Sequence, residues 1–138
     1  MSRALGPVGE AIYAILQDAT LQAAATGGVY GDVPEEPSYP FVWFELLGDE
    51  DIRGFGTGEI PEIELRVHAN SLLQTASEAQ NVCGYAEAVL RDATLTIDGY
   101  TQAGKVVYRN SVKLPNQTLF GVKTYEVVDI YTIWAERN

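Results

Sequence analysis

His68 is the only histidine in the chain and Cys83 the only cysteine, so any chemistry built on imidazole or thiolate must pass through these two side chains. Zinc takes three or four nitrogen, sulfur or oxygen ligands in tetrahedral reach. His68 stands beside Arg66 and Glu64 with no second histidine or cysteine nearby in sequence, and reads as a surface or subunit-contact residue. Acyl transfer by a serine or cysteine would need His68 as base, and no Gly-x-Ser-x-Gly elbow is present to expose a nucleophile. Cys83 lies on an apolar stripe of helical spacing and reads as a small buried hydrophobe. Asp49, Glu50, Asp51 and Glu59 could pair as glycosidase carboxylates. They are interspersed with glycines, lack the spacing of a calcium loop, and read as a solvated acidic loop. The run Arg53-Gly54-Phe55-Gly56-Thr57-Gly58 has the glycines of a phosphate loop without the following Lys-Ser/Thr or helix. Tyr30, Tyr39, Phe41, Trp43 and Phe44 form an aromatic concentration that reads as core and interface material. The residues supply no catalytic group, no metal set and no cofactor motif, which points away from an enzyme.

The elements that would position these residues follow from hydrophobic period. Ile63, Leu65, Val67 and Ala69 alternate with Glu62, Glu64, Arg66 and His68, the period-2 pattern of a half-buried strand. After Asn70-Ser71 the apolar residues become Leu72, Ala76, Ala79, Cys83, Ala86 and Leu90, widened by Val82 and Val89, so an amphipathic helix is expected over about 72–92. Upstream, residues 7–18 read as a first helix with Pro7 in its first turn, and a short second helix capped by Asp18 or Thr20 ends at Gly27-Gly28. Val29-Tyr30 opens a short strand, and the link GDVPEEPSYP is extended and proline-stiffened. Phe41–Leu47 reads as a strand apolar on both alternating sets, broken only by Glu45, hence buried on both faces or at a subunit contact. Residues 48–59 read as a long flexible loop between antiparallel strands.

Past the long helix, Thr94–Ile97 and Val106–Tyr108 read as weak strands, and Asn110 to Gly121 as irregular with a turn at Pro115-Asn116. Val122–Trp134 is a long strand, with Val128, Ile130, Thr132 and Trp134 on one face and Val127, Asp129, Tyr131 and Ile133 on the other; AERN is a polar tail. The expected fold is α+β: a mixed or mainly antiparallel sheet of about four or five strands, the long helix packed on one face, and one or two N-terminal helices. At 138 residues the chain reads as one domain, 1–138. No apolar run approaches a bilayer span and no secretory signal is legible. A net charge of −10, with the lysines and arginines scattered along the chain, argues against tight nucleic-acid binding.

The order of these elements resembles the tail terminator, or tail completion, family of long-tailed bacteriophages and gene transfer agents. The resemblance rests on the helix around Ala11–Leu16, Tyr30 with Tyr39-Pro40-Phe41-Val42, the strand-to-helix junction at Asn70-Ser71, the alanines Ala76, Ala79 and Ala86, and the last strand ending Tyr131-Thr132-Ile133-Trp134. His68 departs from the aromatic that often precedes the alanine in that family. The resemblance implies a structural virion protein of the tail or neck, assembled in the host bacterial cytoplasm. It would form a ring, typically a hexamer, that caps the head-proximal end of the tail tube, stops tube polymerisation and offers a surface for head joining. The implied partners are further copies of the chain, the tube protein and the head-completion or connector proteins, with DNA passing through the lumen unbound and no membrane or cofactor involved. Another neck or head–tail adaptor module fits the same residues. A small enzyme would instead need a pocket gathering Asp49, Glu59 or His68. The candidate subunit and tube contacts are Tyr39, Phe41, Trp43 and Glu45, then Asp49, Glu50, Asp51, Arg53, Phe55 and Glu59 of the loop, and Glu62, Glu64, Arg66 and His68 on the polar strand face.

Overall fold

The computed structural model describes residues 5–48, 62–119 and 121–137. Helix α1 (Leu5–Ile15) buries Val8, Ala11 and Ile12, a three-and-four spacing, with Leu16 completing the stripe just past its end. Helix α2 (Ala19–Ala24) is capped by Asp18, whose Oδ2 accepts from the backbone N–H of Thr20 and of Leu21, both at 3.1 Å. Of the two caps the sequence offered, Asp18 is the one used.

The strands are β1 (Val29–Tyr30), β2 (Phe41–Gly48), β3 (Glu62–Leu72), β4 (Tyr100–Gln102), β5 (Val107–Leu119) and β6 (Val122–Arg137). They form one sheet in the order β1-β2-β3-β6-β4, with β5 also paired to β6. Only β1–β2 is parallel. Helix α3 (Ala76–Leu90) packs over β3 and β6 and buries Ala79, Val82, Cys83, Ala86 and Leu90. The core lies between this helix layer and one sheet face: Val42 and Phe44 of β2, Ile63, Leu65, Val67 and Ala69 of β3, and Val127, Tyr131, Ile133 and Ala135 of β6. The face assignments read from the alternation of β3 and β6 therefore hold, and the α+β class with them.

Four boundaries differ from the sequence reading, each for a physical reason. Leu72 closes β3 opposite Thr124 and is exposed; a 3-10 turn over Leu73–Thr75 intervenes before the helix begins. Thr94–Ile97 is not a strand, because the backbone N–H of Leu95 donates to the side-chain amide of Gln102, whose own Nε2 donates to Ala93 O at 2.8 Å. That segment is pinned by a side chain and leaves only an Ile97–Tyr100 bridge. Asn110 to Gly121 is not irregular: most of it belongs to β5, a 13-residue strand with no alternating burial to betray it. A register shift between Tyr108 and Asn110 passes over Arg109, and a second between Leu114 and Gln117 absorbs Pro115 and Asn116. The AERN segment is no loose tail, since Ala135 pairs with Gln102 and Arg137 with Tyr100. The sheet accordingly has six strands. The loop expected at 48–59 lies outside the described residues apart from Gly48, which pairs with Ile63.

The alternation of β6 also turns Asp129 into the core side, 4% exposed. Burial raises its carboxyl pKa, nearby Glu87 adds to the rise, and side-chain hydrogen bonds with Ser111 and Cys83 pull it partly back. A carboxyl raised on folding contributes stability below its unfolded pKa and loses that contribution as pH climbs through the folded value. Asp129→Asn removes the burden of the buried charge. It should raise the melting temperature by a few degrees at pH 7 and lose that advantage below the ordinary carboxylate range. Thermal scans at pH 7 and pH 3 measure this, and an equal shift at both would contradict it.

Candidate functional site

The sheet face turned away from α3 carries the candidate residues of β2 and β3. Register sets them side by side: Trp43 opposite His68, Glu45 opposite Arg66, Leu47 opposite Glu64, and on the other flank of β3, His68 opposite Val128. At the centre the His68 ring stacks on the Trp43 indole, centroids 3.9 Å apart and planes 11° from parallel. Its Nε2 lies 2.7 Å from Oε2 of Glu45 and its Nδ1 3.1 Å from Oε2 of Glu126. Each carboxylate oxygen can only accept, so both contacts are hydrogen bonds when both ring nitrogens carry a proton. His68 is thus 9% exposed, where the sequence placed it on the surface. It ties β2, β3 and β6 together with an aromatic stack and polar contacts to two carboxylates.

Around this centre the sequence candidates divide. Glu64 and Arg66 form a short ion pair with each other, Nε to Oε2 at 2.5 Å, both about 40% exposed, where a salt bridge contributes little to stability. Glu62 is exposed at the far end of β3. Phe41 is fully buried beneath Tyr30 and Tyr39, at ring distances of 6.4 and 5.3 Å. It can reach a neighbouring molecule only through those tyrosines. Burial raises the pKa of Tyr39, whose hydroxyl has no hydrogen-bond partner among the described residues. Asp49, Glu50, Asp51, Arg53, Phe55 and Glu59 lie outside the described residues.

Four residues of this face were not among the sequence candidates. Glu126 closes the histidine clamp from β6, 58 residues away in sequence. Arg109 of β5 donates from Nε to the Thr132 hydroxyl at 2.8 Å and sets its guanidinium 5.6 Å over the Trp134 ring. Val112, opposite Val128, and Leu47 leave apolar side chains exposed on this otherwise charged face. The alternation of β6 already separated Trp134 and Val128 from the core set. The sequence reading found only the start of β5, at Val106–Tyr108, and took the rest as irregular, so Arg109 and Val112 had no face to be assigned to.

The surface is therefore a sheet face of mixed character, with aromatic and aliphatic groups framed by carboxylates and two arginines. That composition suits protein contact better than turnover of a small molecule. Among the described residues no three His, Cys, Asp or Glu side chains gather as a metal site. The Cys83 thiol, buried against α3's sheet side with its Sγ 3.7 Å from Val127 O, is held well above the usual thiol range by burial and by Asp129, the opposite of an activated nucleophile.

Comparison with known proteins fits this picture. A search of curated protein sequences returned no match. Among solved structures, a chain from the virion of a native gene transfer agent particle superposes with a TM-score of 0.76 at 18% identity, over 98% of this chain and 99% of that one. The gp17 protein of bacteriophage SPP1 superposes with a TM-score of 0.55, also at 18% identity, over 96% of this chain and 91% of that one. At such identity these likenesses establish a shared fold. The family model for tail completion protein gp17 matches residues 10–128, most of the chain, taking in the second half of α1, α2, β1 to β5, α3 and the first part of β6. The chain belongs to the tail completion protein gp17 family.

Proposed function

We propose that this protein forms a ring, of six copies, that caps the head-proximal end of a tail tube in a phage or phage-like particle. Family membership makes it a structural component of a tail. The ring stops tube polymerisation, presents its other side to head-completion or connector proteins, and lets DNA pass through its lumen. The single observation that carries the reading is the family match over residues 10–128; the fold shared end to end with a gene transfer agent virion chain supports it. The charged and aromatic sheet face around Trp43, Glu45, Glu64, Arg66 and His68 serves as a subunit or tube contact. An excess of ten negative charges suits a channel that passes DNA without retaining it.

The test is electron microscopy of particles from a strain lacking this gene. Overlong tails are the expected result. Tails of normal length that fail to join heads would instead favour a neck adaptor, and normal particles would refute both. A narrower expectation concerns the connection between β2 and β3. Gly48 pairs directly with Ile63, so removing Asp51–Gly58 leaves a five-residue connection, Asp49, Glu50, Glu59, Ile60 and Pro61, of the length that antiparallel hairpins commonly use. The deletion should leave the melting temperature unchanged and abolish capping. A large loss of thermal stability would show that the segment belongs to the fold and not to assembly.

A further inference from the structure

The two edges of the sheet carry opposite charge. At one edge, residues 5–48 supply α1, α2, β1 and β2 with Glu10, Asp18, Asp32, Glu35, Glu36 and Glu45 and with no lysine or arginine. At the other edge, Lys105, Arg109, Lys113 and Lys123 lie in the stretch between Gly99 and Tyr125, which contains no Asp or Glu. That stretch holds β4, β5 and the start of β6. Of the three acids on β6, Glu126 is committed to His68, Asp129 faces the core and Glu136 lies opposite Thr101 of β4, so the first two do not offset the cations along β5. A chain of net charge −10 thus has a positive edge. The charge blocks stand in the sequence; the pairing of β5 with β6 is what places the cationic one at a sheet edge.

Both edges are also open. β1 covers β2 only at Val42 and Trp43, and among the described residues no strand lies beyond it at residues 44–48. There the face of α1 bearing Gly6 and Gly9 stands against Phe44, Glu45 and Leu46, and with Glu10, Tyr13 and Gly31 they line an open groove of about 520 Å³; of its two acids Glu45 is held by His68 and Glu10 is exposed. A methyl group on Gly9 would stand in ordinary contact with the Leu46 side chain, at 3.5 Å, and one on Gly6 would meet nothing within 4 Å. At the opposite edge β5 pairs only with β6. Its hairpin with β6 carries exposed Val112 and Val122 beside the cations. An apolar groove on an acidic edge and an apolar strand edge flanked by lysines are complementary in shape class and in sign.

We infer that neighbouring copies join head to tail, the β5 edge and its hairpin on one copy seating over the acidic groove between α1 and β2 on the next. This deepens the ring reading and rests on it: a heterologous contact between two different edges is what generates a closed ring. The occupant is a second copy and not DNA, because each subunit brings the complementary groove in equal number while its remaining charge repels phosphate. The seating is by side chains. Pro115 and the two register shifts of β5 protect that edge from adding a further strand, so free copies associate weakly and the contact is strongest at low salt.

Charge reversal tests it in particles made by a strain lacking the gene and supplied with variants. Lys113→Glu with Lys123→Glu reverses the charge at two positions of the β5–β6 hairpin; Glu10→Lys with Asp32→Lys reverses it at two positions of the acidic edge. All four positions are exposed, and each double variant should melt within a few degrees of the parent. Supplied alone, either one should give overlong tails; supplied together, they should restore the parental tail length, since alternating copies again present opposite edges to each other. Normal tails from either variant alone would overturn the edge assignment while leaving the ring reading intact. So would overlong tails from the mixture, and loss of DNA retention by the lysine variant in that case would reassign the hairpin to nucleic acid. Normal tails from the gene deletion itself would instead defeat the ring reading, which separates the two failures.

Discussion

Truncating His68 to alanine is expected to destabilise the protein by about 2–3 kcal/mol, one of the largest effects of any partly polar position in the sheet. Three losses add. The stack with Trp43, 3.9 Å between centroids, contributes about 1 kcal/mol beyond the area it buries. The contacts to Glu45 and Glu126 present ionised acceptors to the ring, and a ring N–H that donates to one makes a stronger hydrogen bond than a neutral pair. Most important, the substitution leaves two carboxylates on either side of an empty site. Removing the only polar group that faces a partly buried carboxylate costs more than the contact contributed, because the remaining charge is left desolvated and uncompensated. The figure sits below the usual 3–5 kcal/mol for such removals because the Glu45 side chain is still about one-third exposed. His68→Phe separates the terms: it keeps the stack and loses the polar contacts, so its loss should fall between those of the parent and the alanine variant. Denaturant unfolding of His68→Ala, Glu126→Gln and the double variant completes a cycle, with a coupling of about 1–2 kcal/mol expected. If His68→Ala unfolds at the parental midpoint, the histidine clamps nothing.

The same cluster shows where sequence reading succeeds and where it stops. Ile63, Leu65, Val67 and Ala69 alternate with polar residues because one face of β3 meets α3 and the other does not, and a period of two is legible in a single strand. What lies beside His68 on that outer face is a matter of register. Glu45 and Glu126 stand 23 residues upstream and 58 downstream of it, and no local pattern specifies which residue of β2 or β6 lies opposite. A histidine in a polar half-strand therefore looked exposed, and its burial comes entirely from neighbours on other strands. β5 failed for a different reason. Strand signals depend on one face being buried, and β5 is exposed along most of its length, so Pro115, Asn116 and Gln117 outweighed the extended pairing that β6 imposes. The charge asymmetry between sheet edges was invisible for the same cause, since it needs β5 to exist as an edge. Family resemblance crossed these gaps because it matches the order of elements and is indifferent to register.

The largest effect of a single added methyl group should come from Gly27→Ala, and the reason lies in backbone packing. The N–H of Gly27 donates to Pro40 O at 2.7 Å, and Val42 N donates to Gly28 O at 3.0 Å. These bonds fasten the end of α2 to the start of β2 and so set the position of Tyr39, Phe41 and Trp43. A Cβ on Gly27 would stand 1.8 Å from the carbonyl oxygen of Ser38, 2.5 Å from its carbon and 2.8 Å from Pro40 O. All three are backbone atoms, so no side chain can swing aside, and the link between α2 and β2 must move by more than an ångström. That movement breaks the Gly27–Pro40 hydrogen bond and loosens the cover over Phe41. A loss of about 3 kcal/mol or more is expected, or roughly 10 °C in melting temperature. Gly84 provides the matched control. It lies in the middle of α3, exposed, with nothing within 4 Å of the Cβ position. Gly84→Ala should therefore stabilise the protein by about 0.5–1 kcal/mol, since alanine restricts the unfolded chain and favours the helix. The two substitutions are chemically identical and opposite in expected sign, so a general effect of adding a methyl group cannot mimic the result. A Gly27→Ala protein that melts with the parent would mean that α2 and the link to β2 are not packed as described. The aromatic end of the candidate contact surface would then lose its anchor, whatever the behaviour of the histidine clamp.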